Sequence, residues 1–180
     1  MKKILLSTVA LCLYSFLIFA QDGPAPSPAS TVTQKVGLTD VTIEYSRPGL
    51  KGRNMYETLT PEGKIWRTGA NAGTKISFST GVKIEGKDVA AGSYLFYTIP
   101  GKNEWTVMLY SDTTLGGNVA GYDESKETAR FTVKPVMVSP KIETMTFGIN
   151  DISKESTAAS IVFMWENTSW KLKLEVPKTW

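Results

Sequence analysis

The sequence predicts an all-β fold, an antiparallel β-sandwich of jelly-roll-like or Greek-key type, with a closed barrel as the runner-up. Three observations carry this reading. Apolar residues recur with a period of two, as in Val41, Ile43 and Tyr45 against Thr42 and Glu44. Turn signals built from Gly, Pro, Asn and Asp punctuate these runs at short intervals. Beyond the first apolar segment, no stretch keeps a helical period. About nine short strands spaced in this way make a sandwich or barrel.

Residues 1–20 stand apart. Lys2 and Lys3 precede an apolar run over residues 4–19 that closes on Ala20, ahead of Gln21, Asp22, Gly23 and Pro24. This is the layout of a secretory signal peptide cleaved after Ala20, and the run is short for spanning about 30 Å of hydrocarbon. An exported protein, periplasmic or secreted, follows as the expectation, with no stable membrane span after cleavage. The single cysteine, Cys12, lies inside the run behind Leu11 and not behind the small residue of a lipoprotein signal. The mature chain is therefore expected to have neither disulfides nor a thiol nucleophile. Lys2 and Lys3 belong to the 20 Lys and Arg set against 17 Asp and Glu. Without them the chain is close to neutral, which removes the case for nucleic acid as a partner.

Residues 21–30 hold Pro24, Pro26 and Pro28 between small residues and read as a Pro-rich tether. Residues 31–177 read as a single β-sandwich domain. After a turn at Gly37, Leu38, Thr39 and Asp40, the strand carrying Val41, Ile43 and Tyr45 ends at Arg47-Pro48-Gly49, because Pro48 lacks a donor and restricts Arg47. Residues 50–63 lack strand alternation; Met55, Tyr56, Glu57, Thr58 and Leu59 suit a single helical turn, and Thr60, Pro61, Glu62 and Gly63 a turn. Ile76 with Phe78 and Val82 with Ile84 mark two short strands, and Gly86, Lys87 and Asp88 the connection after them. Tyr94, Leu95, Phe96 and Tyr97 are apolar on both faces, as in a central strand covered on both sides. A turn at Pro100, Gly101, Lys102 and Asn103 leads to Trp105, Val107 and Leu109 on one face of the next strand.

Residues 111–127 form a second long polar loop containing Gly116, Gly117 and Gly121. Strands over 129–133, which Pro135 places at an edge, over 142–149 and over 160–165 follow. A turn at Glu166, Asn167 and Thr168 is expected before the last strand, where Trp170, Leu172, Leu174 and Val176 alternate with Lys171, Lys173 and Glu175.

The residue inventory narrows the chemistry. The chain has no histidine, and its one cysteine lies in the signal segment, so Ser-His-Asp and Cys-His catalysis and the usual transition-metal sites are excluded. There is no Ser-x-x-Lys pair, no Gly-x-Ser-x-Gly elbow and no calcium loop of EF-hand spacing. Residues 81–88 match a phosphate-loop spacing as far as Lys87, but Asp88 stands where Ser or Thr should hold magnesium and Val82 and Ile84 make the interior a strand. No catalytic residue, metal or cofactor is assigned. Glycoside hydrolysis by two carboxylates survives as an alternative because it needs only Asp or Glu across a cleft; Glu44, Glu57, Glu62, Asp112 and Asp123 are available, and most such acids are solvated surface groups.

The candidate ligand-binding residues are Arg47, Lys51, Arg53, Trp66, Arg67 and Asn71. Planar guanidinium groups beside an Asn suit capture of a carboxylate, a sulfate or sugar hydroxyls. The plainer reading is that the cations solvate their loop or pair with Glu44, Glu57 and Glu62, and that Asn71 bonds its own turn. Trp105, Trp165 and Trp170 belong to the core by their alternation, whereas Trp66 beside Arg67 suits either the core or a groove mouth.

Several phrases together resemble a known family. They are Val41-Thr42-Ile43-Glu44-Tyr45-Ser46-Arg47-Pro48, Lys51-Gly52-Arg53, and Gly63-Lys64-Ile65-Trp66-Arg67-Thr68-Gly69-Ala70-Asn71, followed by Ala91-Gly92-Ser93-Tyr94-Leu95-Phe96, Ile99-Pro100-Gly101 and Trp165-Glu166-Asn167. The chain resembles the DUF2911 family of exported bacterial proteins of unknown function over about residues 30–176. One departure is Val89-Ala90-Ala91-Gly92, where the family usually reads Leu-Pro-Ala-Gly. The resemblance implies a secreted or periplasmic β-rich domain and attaches no role to any residue. The leading expectation is a non-enzymatic domain that binds a small polar ligand, a glycan or an envelope protein; a carboxylate-based glycoside-active enzyme and a purely structural envelope module are the alternatives. Trp66-Arg67-Thr68-Gly69-Ala70-Asn71 is read as a fold-fixing turn first and a binding corner second.

Overall fold

The period-two runs form antiparallel strands whose apolar faces meet between two sheets. The structure, a computed structural model, describes residues 23–178; residues 1–20, expected as a signal segment, with Cys12, and Trp180 lie outside the described residues. Ten strands follow in order: β1 (Ala29–Val36), β2 (Thr39–Ser46), β3 (Thr74–Phe78), β4 (Val82–Ile84), β5 (Lys87–Val89), β6 (Gly92–Ile99), β7 (Trp105–Tyr110), β8 (Glu127–Val133), β9 (Val136–Asn150) and β10 (Ala158–Glu175). The larger sheet runs β1-β2-β3-β6-β7-β8 and the smaller β5-β4-β10-β9, with no closed barrel. The larger sheet is thus a meander, interrupted where the β4–β5 hairpin leaves to pair with β10.

The core between the sheets is aromatic. Trp170 is stacked between Phe96 (6.1 Å between ring centres) and Phe163 (5.0 Å), and Trp105 packs against both Phe163 and Trp170. Trp105, Trp165 and Trp170 are all buried, as their alternation predicts. On the far side of the larger sheet, Leu95, Tyr97, Met108 and Tyr110 form a second cluster under Leu115 and Tyr122. That explains why β6 is apolar on both faces: its second cover is the loop over residues 111–126, held down by Tyr122 stacked on Tyr110 at 4.9 Å. β8 is an edge strand, as Pro135 predicts.

Three local expectations change. The region expected to turn at Glu166, Asn167 and Thr168 is the middle of one continuous strand, β10, whose register against β9 shifts on either side of Glu166. Glu166 adopts a φ of 53°. The polar triplet is absorbed as a bulge because its side chains find partners: Glu166 Oε2 accepts the Met55 N–H (2.9 Å), and Asn167 Nδ2 donates to Val138 O (2.9 Å). The β4–β5 turn is Glu85-Gly86, both with positive φ as a two-residue hairpin demands, so Lys87 and Asp88 already belong to β5. The end of the Pro-rich segment joins the sheet, with Ala29 opposite Ser46 and Ser30 opposite Tyr45. The helical turn at Met55–Leu59 is present as one π-type turn, capped by Asn54 Oδ1 accepting from Glu57 N (3.1 Å).

Candidate functional site

Residues 47–73, the long connection from β2 to β3, carry all six candidate residues and bring three of them to one cleft. The backbone of Trp66 pairs with Thr98 on β6 in both directions (2.7 and 2.9 Å), which anchors the connection to the larger sheet. The Trp66 ring lies parallel to Trp165 of β10 (6.0 Å, 14°) and edge-on to Trp105 (6.3 Å, 72°). It is only 7% exposed, and Trp165 only 1%. Their faces are spent on the core, so no open aromatic platform is left for sugar stacking. The Trp66 indole N–H has no hydrogen-bond partner among the described residues and is not one of the fully buried polar atoms.

The chain after Trp66 turns through an unusual backbone. Thr68 (φ 52°) and Asn71 (φ 55°) both take left-handed conformations that a β-branched residue in particular rarely adopts. Buried Thr68 is held there by donating to Thr98 Oγ1 (3.0 Å), while its carbonyl accepts from Thr74 Oγ1 (2.5 Å). Each such residue costs about 1–3 kcal/mol and persists only where its surroundings over-determine it. Gly69, at φ 149°, has Ser46 O where a side chain would begin, at 3.1 Å.

The four candidate cations have different fates. Arg47 donates through Nε to Met145 O (3.0 Å) and through Nη2 to Thr146 Oγ1 (2.8 Å), tying the end of β2 to β9. Arg53 turns back on its own loop, donating to Leu50 O (3.0 Å) and Gly49 O (3.1 Å). Exposed Lys51 reaches Pro26 O at 3.4 Å. Neither arginine pairs with the acids anticipated for it: Glu44 binds Lys75 (2.6 Å), and among the described residues Glu57 and Glu62 form no ion pair. Asn71 donates to Ser46 Oγ (3.1 Å) and to Ser27 O (3.2 Å), so it pins the Pro-rich segment more than it serves its own turn.

Arg67 differs from the rest. It is half-buried, yet among the described residues its guanidinium has neither a hydrogen bond nor an ion pair. Its aliphatic stem runs between two glycines. A Cβ on Gly73 would lie 3.3 Å from Arg67 Cβ, and one on Gly117 would lie 3.0 Å from Arg67 Cδ. The absence of side chains at 73 and 117 makes the channel that holds the arginine.

Arg53, Trp66 and Arg67 line one cleft of about 470 Å3. Arg47, Lys51 and Asn71 do not line it, although Pro48 and Ala70 beside them do. The other walls are Leu59, Pro61 and Ile65 from the same connection, Gly117 and Val119 from the loop over 111–126, Ser27 from the Pro-rich segment, and Trp165 from β10. Among the described residues no Asp or Glu lines it. Sequence reasoning missed the contributions of Ser27, Gly117, Val119 and Trp165. Gly116-Gly117 was visible as a flexible pair, but nothing local links it to an arginine fifty positions earlier.

A larger, mostly apolar cavity of about 810 Å3 lies near β4, β5 and the end of β10, with Asp88 and Glu175 in its wall. Both acids are engaged: Asp88 with Lys83 (2.5 Å) and Glu175 with Lys173. The hydrogen bond from Lys173 holds the Glu175 carboxyl below the usual carboxylate range. Among the described residues no group of three or more His, Cys, Asp or Glu is placed to hold a metal ion, and no helix is long and apolar enough to cross a membrane.

A family model described as a protein of unknown function matches residues 27–174, from the cleft residue Ser27 to Leu174 in the last strand. The chain belongs to the DUF2911 family. Every residue that lines the cleft therefore lies within the DUF2911 match. No curated protein and no solved structure matches the chain.

Proposed function

We propose that this DUF2911 protein is an exported, non-enzymatic binding domain whose β-sandwich takes a small polar ligand in the cleft beside Arg67. The observation that carries the reading is Arg67 itself. A long cationic side chain is held between Gly73 and Gly117 in a partly buried site, with no partner among the described residues. The planar guanidinium fork is suited to bidentate pairing, and no described residue supplies the partner. A bound ligand supplies the missing partner. The volume of about 470 Å3 falls within the range of small-molecule sites.

The glycan reading has less support because the Trp66 and Trp165 faces are stacked on one another. The two-carboxylate enzyme has less support because one acid must stay protonated near neutral pH, whereas Asp88 is ion-paired and Glu175 is held down by Lys173. A purely structural module would present a contiguous apolar face; the exposed Leu38, Val119 and Ile152 come from separate connections, and only Val136 and Met137 adjoin.

Export rests on the basic and apolar layout of residues 1–20. Expression with the native N-terminus, cell fractionation and N-terminal sequencing test it; the expected first residue is Gln21, and an uncleaved cytoplasmic protein would refute it. Binding is tested by thermal shift against a library of polar metabolites. Wild type is expected to gain stability with a ligand that Arg67→Ala ignores, and equal shifts in both proteins would remove the cleft from consideration.

A further inference from the structure

We infer that the ligand of this cleft is a carboxylate carried on a small apolar body, an inference that rests on the cleft being the binding site. The polar side-chain groups of the described lining residues are almost all donors. Arg67 offers its whole unpaired fork, and Arg53 adds a second positive charge with part of its fork already spent on Leu50 O and Gly49 O. Ser27 is the only lining side chain with an oxygen. A ligand that must be met with donors carries acceptors, and the absence of Asp and Glu from the walls leaves a negative charge unopposed.

Planarity and the apolar walls narrow the class. One free guanidinium presents two parallel N–H groups that match the two oxygens of a carboxylate. A phosphate or sulfate has further oxygens to satisfy, and among the described residues no lysine lines the cleft to meet them. A neutral polyol donates as well as accepts, and side-chain acceptors for its hydroxyls are nearly absent. The exposed lining is more polar than apolar, yet Leu59, Pro61, Ile65 and Val119 contribute apolar surface that a bare anion would leave unused and that suits a short aliphatic or aromatic body.

The test is calorimetric titration of the purified protein with hexanoate and phenylacetate, their neutral amides, sulfate and phosphate. The carboxylates are expected to bind, with the matched amides at least about tenfold weaker and both inorganic anions weaker than the carboxylates. Arg67→Ala is expected to weaken the carboxylates about ten- to a hundredfold without moving the unfolding midpoint, and Arg67→Lys to recover only part of the loss. Tighter binding of sulfate or phosphate overturns the carboxylate assignment. Equal binding of acids and amides that still depends on Arg67 overturns it too, while leaving the cleft as the site. Binding indifferent to Arg67→Ala overturns both readings. Failure of every carboxylate to bind also overturns the inference.

Discussion

Replacing Gly117 by Ala tests how the loop over residues 111–126 and the turn after Trp66 lock together. A Cβ at 117 would lie 2.5 Å from Asn71 O, 3.2 Å from Ala72 C and 3.0 Å from Arg67 Cδ. The arginine stem can give way, but the carbonyl cannot rotate aside. Ordinary contact requires a displacement of roughly 1 Å, the kind of overpacking that costs about 1–3 kcal/mol. The displaced peptide is tied on both sides, by Asn71 to Ser27 O and Ser46 Oγ and by Gly73 N–H to Ala70 O (3.2 Å). At about 2–4 °C per kcal/mol for a protein of this size, the midpoint should fall by about 2–12 °C. Urea and thermal unfolding measure it, with Gly23→Ala as the control, because nothing lies within 4 Å of a Cβ there. Adding Arg67→Ala to Gly117→Ala should restore little, since the backbone obstruction remains. A Gly117→Ala protein as stable as the control, or full rescue by the second substitution, would refute the reasoning.

Glu166→Ala deprives the buried Met55 N–H of its acceptor and should cost about 1–3 kcal/mol in urea unfolding. Glu166→Gln keeps an acceptor oxygen and loses only the pair with the exposed Lys141, worth under about 1 kcal/mol. Arg47→Ala removes donors from Met145 O and Thr146 Oγ1 and should destabilise by about 1–3 kcal/mol, whereas Arg67→Ala should leave stability within about 0.5 kcal/mol of wild type. The hydrogen bond from Lys126, aided by those from Thr114, holds the Asp112 carboxyl down from 3.8 to about 2. A carboxyl lowered on folding contributes its full stabilisation above the ordinary value and loses it as pH falls towards the lowered one. The protection of amides in residues 111–126, taken relative to their intrinsic exchange rates, should therefore fall between about pH 4 and pH 2, and Asp112→Asn should remove that acid-dependent step.

Much of the fold is legible because its signals are local. Alternation along β2 and along the second half of β10 decides which side of each strand seeks the core, and Pro135 denies β8 a neighbour on one side. The bulge in β10 was not legible, since Glu166-Asn167-Thr168 has the composition of a turn. Its carboxylate is satisfied by Met55, 111 positions away in the chain. The doubly apolar β6 announced two covers without revealing that one is an irregular loop and not a layer of secondary structure.

The candidate site divides in the same way. Its residue types were visible, as was the absence of histidine. The sequence by itself determined that three arginines and an asparagine flank a Gly-marked turn after Trp66. Only the tertiary structure decided which guanidinium remains available. Arg47 and Arg53 meet carbonyls, Asn71 meets the Pro-rich segment, and Arg67 runs between two glycines into a cleft without acids. A guanidinium's role depends on the acceptors within about 3 Å of it, and those come from strands and loops that sequence spacing does not bring together.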